Sequence, residues 1–414
     1  MPALDDILLE KIQHLDQKNQ KRQLITCASE DGIYVQCGDK RLISFCSNDY
    51  LGLSRHPDVI AAAQEALRCF GVGSGASRLV TGNHPLYFEL EQQLAQMKHT
   101  QAACVFGSGF MAGIGVIPAL VEKGDLILID RLAHASLHRG AKLSGAVVKV
   151  FAHNDMDSLQ SALERYRSNY RHCLVLTETV FSMDGDIAPV DNGTIIAHEY
   201  DSWVMTDDAH GLGIVGAGKK YTKEKSEPLL EAEGNKDVAV INNVQADIQM
   251  GTLSKAVGSY GGYVCASQNV VDYLVNKAAS LIYTTALPPA ILAASLASLK
   301  YIQANDSFCQ KPLEHAYYFT KKLGLEEAAS AIVPLVIGEE SSALAASDIL
   351  REAGFLVGAI RPPTVPKGTA RLRFTFSALH KKEDIDALVE VILQHKMVAL
   401  SEKTSSILSG ESCV

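Results

Sequence analysis

Between residues 102 and 266 the chain carries six short strand-like runs, five of which give way at once to turns rich in glycine, serine, histidine or aspartate. The runs are AACVF (102–106), LILID (126–130), CLVLT (173–177), WVMTD (203–207), ADIQM (246–250) and GYVCA (262–266). Apolar stretches of this length, separated by helical patterns from about residue 58 to 290, read as central strands buried on both faces. They predict an α/β fold with a mainly parallel central sheet flanked by helices. Beyond Pro289 the pattern changes. An Ala/Leu-rich helix (AILAASLASLKYI) leads into SAIVPLVIG, a helical SSALAASDILREAG, the run FLVGAI, the alternating ARLRFTFS and a last amphipathic helix. The expected organisation is an N-terminal segment (1–57), a large domain (58–289), a smaller C-terminal α+β domain (290–398) and a polar, flexible tail (399–414). The stretch 219–237 reads as a charged surface excursion.

Polar residues cluster where these runs end. GSGF (107–110) follows the first, RLAHASLHRG the second, ETVFSMDGD the third, DAHGLG the fourth and GTLSKA the fifth. Ligands of open α/β sheets bind at the carboxyl ends of the strands, so five loops converge on one expected site. GSGF opens a helical pattern, and Ser108 with the amides of Gly109 and Phe110 suits an anion such as phosphate; taken alone, it is equally a Ser/Gly helix cap. TDDAH places Asp207 at the end of a buried strand, with His210 three residues on. A buried carboxylate needs a cationic partner, and a protonated pyridine nitrogen would serve. By itself the same stretch reads evenly as a turn or cap. Lys255 lies among small residues in GTLSKAVGSYGG, which leaves room for a flat ring at its amine. A desolvated lysine is a carbonyl-condensing nucleophile. Phosphate anchor, ring-nitrogen carboxylate and such a lysine together specify pyridoxal 5′-phosphate. A P-loop is set aside, because no glycine directly precedes Lys255.

Charge and composition exclude other classes. The formal charge is −9, with no long Lys/Arg block, which argues against nucleic acid or an anionic membrane as partner. No apolar run approaches the ~18 residues of a membrane span, and MPALDDILLEKIQ lacks a basic leader, so a cytosolic protein is expected. Nine cysteines stand singly with no C-x-x-C pair and read as small buried hydrophobes of a reducing compartment; no metal is expected.

The motifs SNDYLGLSRHP (47–57), GSGASRLVTGNHPLYFELE (73–91), DRLAHASLHRGAKLS (130–144), FSMDGDIAPV (181–190), DDAHGLG (207–213), TLSKAVGSYGGYV (252–264) and IRPPTVPKGTARLRFTFSALH (360–380) resemble the α-oxoamine synthases. This is a family of fold-type I pyridoxal-phosphate transferases, matched here in order from about residue 40 to 395. The resemblance implies a homodimeric acyltransferase that joins an amino acid to an acyl thioester with loss of carbon dioxide. IRPPTVPKGTARLR points within the family to L-alanine and a pimeloyl thioester, carried on coenzyme A or acyl carrier protein, as in biotin biosynthesis. By the same resemblance Lys255 holds the cofactor and then acts as base, Asp207 partners the ring nitrogen, His210 neighbours the phenolic oxygen and His134 stacks on the ring. Gly109, Phe110 and Thr252 are implied as phosphate ligands and Ser182 as a further cofactor contact. Asn48 and Arg373 lie near the amino-acid carboxylate. Arg361, Thr364 and Arg22 are implied along the acyl substrate, and Thr284 and Thr285 reach the phosphate of the other subunit. The chain departs from the family pattern at 214–246, where GIVGAGKKYTKEK replaces a Gly/Arg-containing turn. A sister synthase using glycine or serine, a cofactor-binding protein without catalysis and a plain interaction protein stay open as alternatives.

Overall fold

In a computed structural model of the protein, residues 3–215 and 245–398 are described. The charged stretch 219–237, most of the departure at 214–246 and the tail 399–414 lie outside the described residues. The described residues form two compact units, one within 58–181 and 187–304, the other within 3–57, 182–186 and 305–398.

The first unit is built on a seven-stranded sheet. Its spatial order is Ala102–Phe106, Gly262–Ala266, Ile248–Thr252, Trp203–Asp207, Cys173–Glu178, Leu126–Asp130 and Val147–Phe151. Gly262–Ala266 runs antiparallel to both neighbours, and every other pairing is parallel. Alternation along the strands supplies both faces. Ile127 and Ile129 join Leu174, Leu176 and Met205 under the helix Gly109–Leu120, while Leu126 and Leu128 join Val175 and Val204 under Met156–Tyr166 and Val190–Glu199. The expected α/β fold is therefore the observed one. Two details differ from expectation. The strand at 246–250 is shifted to Ile248–Thr252, and the edge strand Val147–Phe151 was not anticipated. Three of its five residues are exposed, so its sequence VVKVF lacks the continuous burial that marks the others. The Ala/Leu-rich helix, Pro289–Ala304, belongs to this unit and packs on the helix Pro85–Met97.

The second unit holds two small sheets. Ala370–Thr375 lies between Ile332–Gly338 and Gly358–Ile360, antiparallel to both. Cys27–Asp31, Tyr34–Cys37 and Lys40–Ser44 form a meander extended in parallel by Phe355–Leu356. The run FLVGAI thus divides between two sheets at Val357, whose carbonyl accepts the Ser347 hydroxyl. Phe45, Phe319, Phe374 and Phe376 fill the core, and the buried His380 stacks on Phe45 with ring centroids 4.1 Å apart. The cysteine expectation is corrected here. Cys27 and Cys37, opposite one another in the meander, form a disulfide, and Cys69 is exposed; Cys104, Cys173, Cys265 and Cys309 are the small buried hydrophobes anticipated. Among the described residues no helix is long and apolar enough to cross a membrane.

Candidate active site

One rung of the large sheet aligns Phe106, Gly262 and Thr252. Because the middle strand is antiparallel, the turns after Phe106 and after Thr252 emerge side by side at the same edge. Gly262 makes that approach possible: a Cβ there would collide with the backbone of Ser108 and Gly109. Ser108 caps the helix Gly109–Leu120, its hydroxyl accepting the Met111 N–H at 3.1 Å. The amides of Gly109 and Phe110 precede the first intrahelical bond, Ala112 N–H to Ser108 O, and belong to the donors that a helix start leaves for a ligand.

The lysine loop is a folded turn. Leu253 N–H donates to Gly261 O, Ser259 N–H to Leu253 O, and Gly258 N–H to Lys255 O at 2.8 Å; Gly258 has φ +67°. Thr252 Oγ1 donates to Gly261 O at 2.8 Å and lies 2.7 Å from Ser254 Oγ. With the Thr252 hydrogen on Gly261 O, the exposed Ser254 is the donor of this hydroxyl pair. Lys255 Nζ lies 2.7 Å from His210 Nε2. His210 is buried three residues past Asp207, on the turn closed by Gly211 N–H and Leu212 N–H to Asp208 O.

Asp207, only 4% exposed, ends its strand and accepts the Ala209 N–H at 3.0 Å. Burial raises its proton affinity, against the charges of Lys255 and His134 and the Ala209 hydrogen bond. His134 caps the helix Ala135–Ser144: its Nδ1 accepts the Ser136 N–H at 3.2 Å, which leaves the ring proton on Nε2. Burial holds this imidazole below its ordinary value; Asp207 opposes the effect, while Lys255 and His138 add to it. The four residues Lys255, Asp207, His210 and His134 therefore form one electrostatic group. The preceding turn is pinned by the buried Asp130, which accepts Leu132 N–H at 2.8 Å, Asn154 N–H at 2.9 Å and His153 Nδ1–H at 3.0 Å. Helix-start amides, a buried carboxylate and a lysine beside an imidazole fit pyridoxal phosphate in phosphate, ring and aldehyde.

Thr285 makes an isolated bridge with Ser77, beside the hydrogen bond from Ala286 N–H to Ala76 O. Thr284 lies next to it, and Tyr283, 85% exposed, precedes it.

In the second unit a different group is assembled. Arg373 is 7% exposed, and its acceptors are neutral: Ser182 O at 2.5 Å from Nε and Asn48 Oδ1 at 3.2 Å from Nη1. Asn48 Oδ1 also accepts the Tyr50 hydroxyl at 3.3 Å. Two residues earlier on the same strand, Arg371 is ion-paired with Asp184. Arg22 Nη2 donates to Thr364 Oγ1 at 3.0 Å, Thr364 N–H donates to Arg361 O at 3.1 Å, and Arg361 Nη1 donates to Asn19 O at 2.5 Å.

A family model described as aminotransferase class I and II matches residues 40–392. The chain is 50% identical over 390 residues to the 8-amino-7-oxononanoate synthase of Maricaulis maris, covering 94% of this chain and 96% of that protein. Among solved structures it is similar to a serine palmitoyltransferase variant from S. paucimobilis carrying a bound PLP–myriocin aldimine. That likeness has a TM-score of 0.84 at 28% identity and covers 98% of this chain and all of the other. An 8-amino-7-oxononanoate synthase from Francisella tularensis gives a TM-score of 0.68 at 26% identity, over 86% of this chain and 98% of that one.

Proposed function

The chain belongs to the aminotransferase class I and II family and, within it, to the pyridoxal-phosphate-dependent α-oxoamine synthases of biotin biosynthesis, and we propose that it condenses L-alanine with a pimeloyl thioester. The product of that reaction is 8-amino-7-oxononanoate, with carbon dioxide and the free thiol carrier released. The observation that carries the proposal is the 50% identity, nearly end to end, to a synthase of that name. When bound, the cofactor supplies an electron sink for the charge left at the amino-acid α-carbon.

The chain's own residues account for the rest. The Gly109 and Phe110 amides would bind the phosphate with Ser108, Thr252 and Ser254, the last two turning their hydroxyls from bonds within their own loop. His134 clamps the ring face, and Asp207 provides the fixed negative charge for its nitrogen. His210 orients the phenolic oxygen while keeping Lys255 Nζ in hydrogen-bond reach. Lys255 Nζ, 2.7 Å from His210 Nε2, would hold the cofactor and serve as the base for the amino-acid α-proton. Arg373 holds the alanine carboxylate: its buried guanidinium, set among neutral partners, suits an anion held by a planar fork of N–H groups. Ser182 acts here through its carbonyl, which braces Arg373, and Asn48 braces it from the other side. Arg361, Arg22 and Thr364 line the path of the acyl substrate.

A second copy of the chain completes the enzyme in this reading. Phe70, Val72, Leu79, Val80 and Tyr283 are exposed apolar side chains on segments tied together at the Ser77–Thr285 bridge, and Thr284 and Thr285 reach the partner's phosphate from there.

A second reading, serine with a long acyl thioester, has the higher TM-score of the serine palmitoyltransferase in its favour. Both solved relatives share only 26–28% identity with the chain, so shape alone does not separate them. The test is a substrate panel of alanine, glycine and serine against pimeloyl-CoA, pimeloyl-acyl carrier protein and palmitoyl-CoA. Carbon dioxide release and product mass are followed. Turnover is expected with alanine and a pimeloyl thioester; preference for serine and palmitoyl-CoA would overturn the assignment, and a bound chromophore unresponsive to every amino acid would mark a non-catalytic binder.

A further inference from the structure

Behind the ring-nitrogen carboxylate lies a second buried carboxylate. Asp208 is 3% exposed, directly follows the strand Trp203–Asp207, and has side-chain partners other than those of Asp207. Its Oδ2 pairs with Lys98 Nζ at 2.7 Å, and its Oδ1 accepts the Thr179 hydroxyl. Thr179 also sends its N–H to Asp207 O at 2.9 Å, so one residue braces both aspartates. The backbone of Asp208 is equally fixed, its N–H on Met250 O and its carbonyl on Gly211 and Leu212. Lys98 is the C-cap of the helix Pro85–Met97, 110 residues distant in sequence, and its carbonyl accepts Gln249 Nε2 at 3.3 Å.

The ammonium is largely buried, with 14% of its side chain exposed. A pair this inaccessible adds little as a surface bridge and leaves a costly lone charge if either member is lost.

We propose that Lys98 is a positioning residue for the cofactor site: by neutralising Asp208 it keeps Asp207 as the carboxylate that answers to the ring nitrogen. The proposal rests on the pyridoxal-phosphate reading above. Asp207 is faced by Lys255 and His134 and pairs in register with Glu178. Asp208 is faced by Lys98 and Thr179, and Tyr263 and Cys265 of the antiparallel strand feel its charge. Uncompensated, the negative charge of Asp208 adds to that of its neighbour and favours protons throughout the site, on Asp207 and on the cofactor nitrogens alike.

The test is a pH titration of the bound cofactor's absorbance, read without turnover, in wild-type protein, K98M, D208N and the double variant. K98M should raise the midpoint by on the order of 1 pH unit, D208N should lower it, and K98M/D208N should return it toward wild type. A merely structural role predicts shifts of one sign that grow in the double variant, and that result, or no shift in either single variant, overturns the inference. If K98M does not fold, the sign for D208N decides alone, with K98R expected to keep the wild-type midpoint. A wild-type protein that takes up no pyridoxal phosphate would instead overturn the cofactor site, and this inference with it.

Discussion

Arg371 and Arg373 point the same way from one strand yet are satisfied differently. The first has Asp184 as counter-ion; the second, equally buried, has neutral partners, the Ser182 carbonyl, the Asn48 amide oxygen and the Tyr50 hydroxyl. Charged donors buried on neutral acceptors mark a place prepared for an anion. Hydrogen bonds to a charged group contribute about 1.5–3 kcal/mol, so R373M is expected to raise KM for alanine by roughly 10–150-fold and to leave KM for the acyl thioester little changed. Steady-state kinetics with each substrate varied in turn checks this; an increase confined to the acyl substrate would reassign the arginine. At this scale the sequence was informative where a motif fixed the neighbourhood. Lys255, Asp207, His210 and His134 are brought together as TLSKA, DDAH and DRLAHAS led one to expect. Lys98, Thr179 and Ser254 were not legible, because their roles depend on partners supplied by the fold, and nothing in QMKHT announces that its lysine meets an aspartate 110 residues away.

Among elements, the junction of the strand Gly262–Ala266 with the turn at Ser108 and Gly109 matters most. A methyl group at Gly262 cannot be accommodated without moving the backbone of Ser108 and Gly109, where the phosphate is proposed to bind. Overpacking of this kind costs about 1–3 kcal/mol, and G262A is expected to weaken pyridoxal-phosphate binding roughly ten-fold or more. Equilibrium titration followed by cofactor absorbance measures it, and wild-type affinity would show that the turn adapts freely. The buried strands were readable because each is apolar on both faces and stops at a turn. The antiparallel direction of Gly262–Ala266 was not, since a short apolar run carries no information about its direction, nor was the division of FLVGAI between two sheets. The edge strand Val147–Phe151 escaped because half of it faces outward.

For the molecule as a whole, acid stability follows from a buried histidine. His380 Nδ1 accepts the Ser377 N–H and its Nε2 donates to Ser44 O, an arrangement that requires the neutral ring, and burial pushes its pKa down to about 3. The unfolded chain takes up a proton near pH 6.5 that the folded unit refuses until about pH 3. Stability from this residue is thus full above pH 6.5 and is lost as pH falls through the window down to about 3, by about 1.4 kcal/mol per pH unit. H380Q is expected to flatten that limb of a plot of urea midpoint against pH, at some cost in stability at neutral pH; an unchanged slope would assign acid sensitivity elsewhere. The α/β class and the site edge were legible in the sequence, whereas the Cys27–Cys37 disulfide was not, because it depends on a hairpin register that no spacing rule supplied. Lys255 is the residue proposed to carry the cofactor. This is tested most directly by reducing the purified protein, loaded with pyridoxal phosphate, with borohydride and mapping its peptides by mass spectrometry. A phosphopyridoxyl group on the peptide containing Lys255, and on no other, is the predicted result; an unmodified Lys255, or a label on a different lysine, would contradict the account.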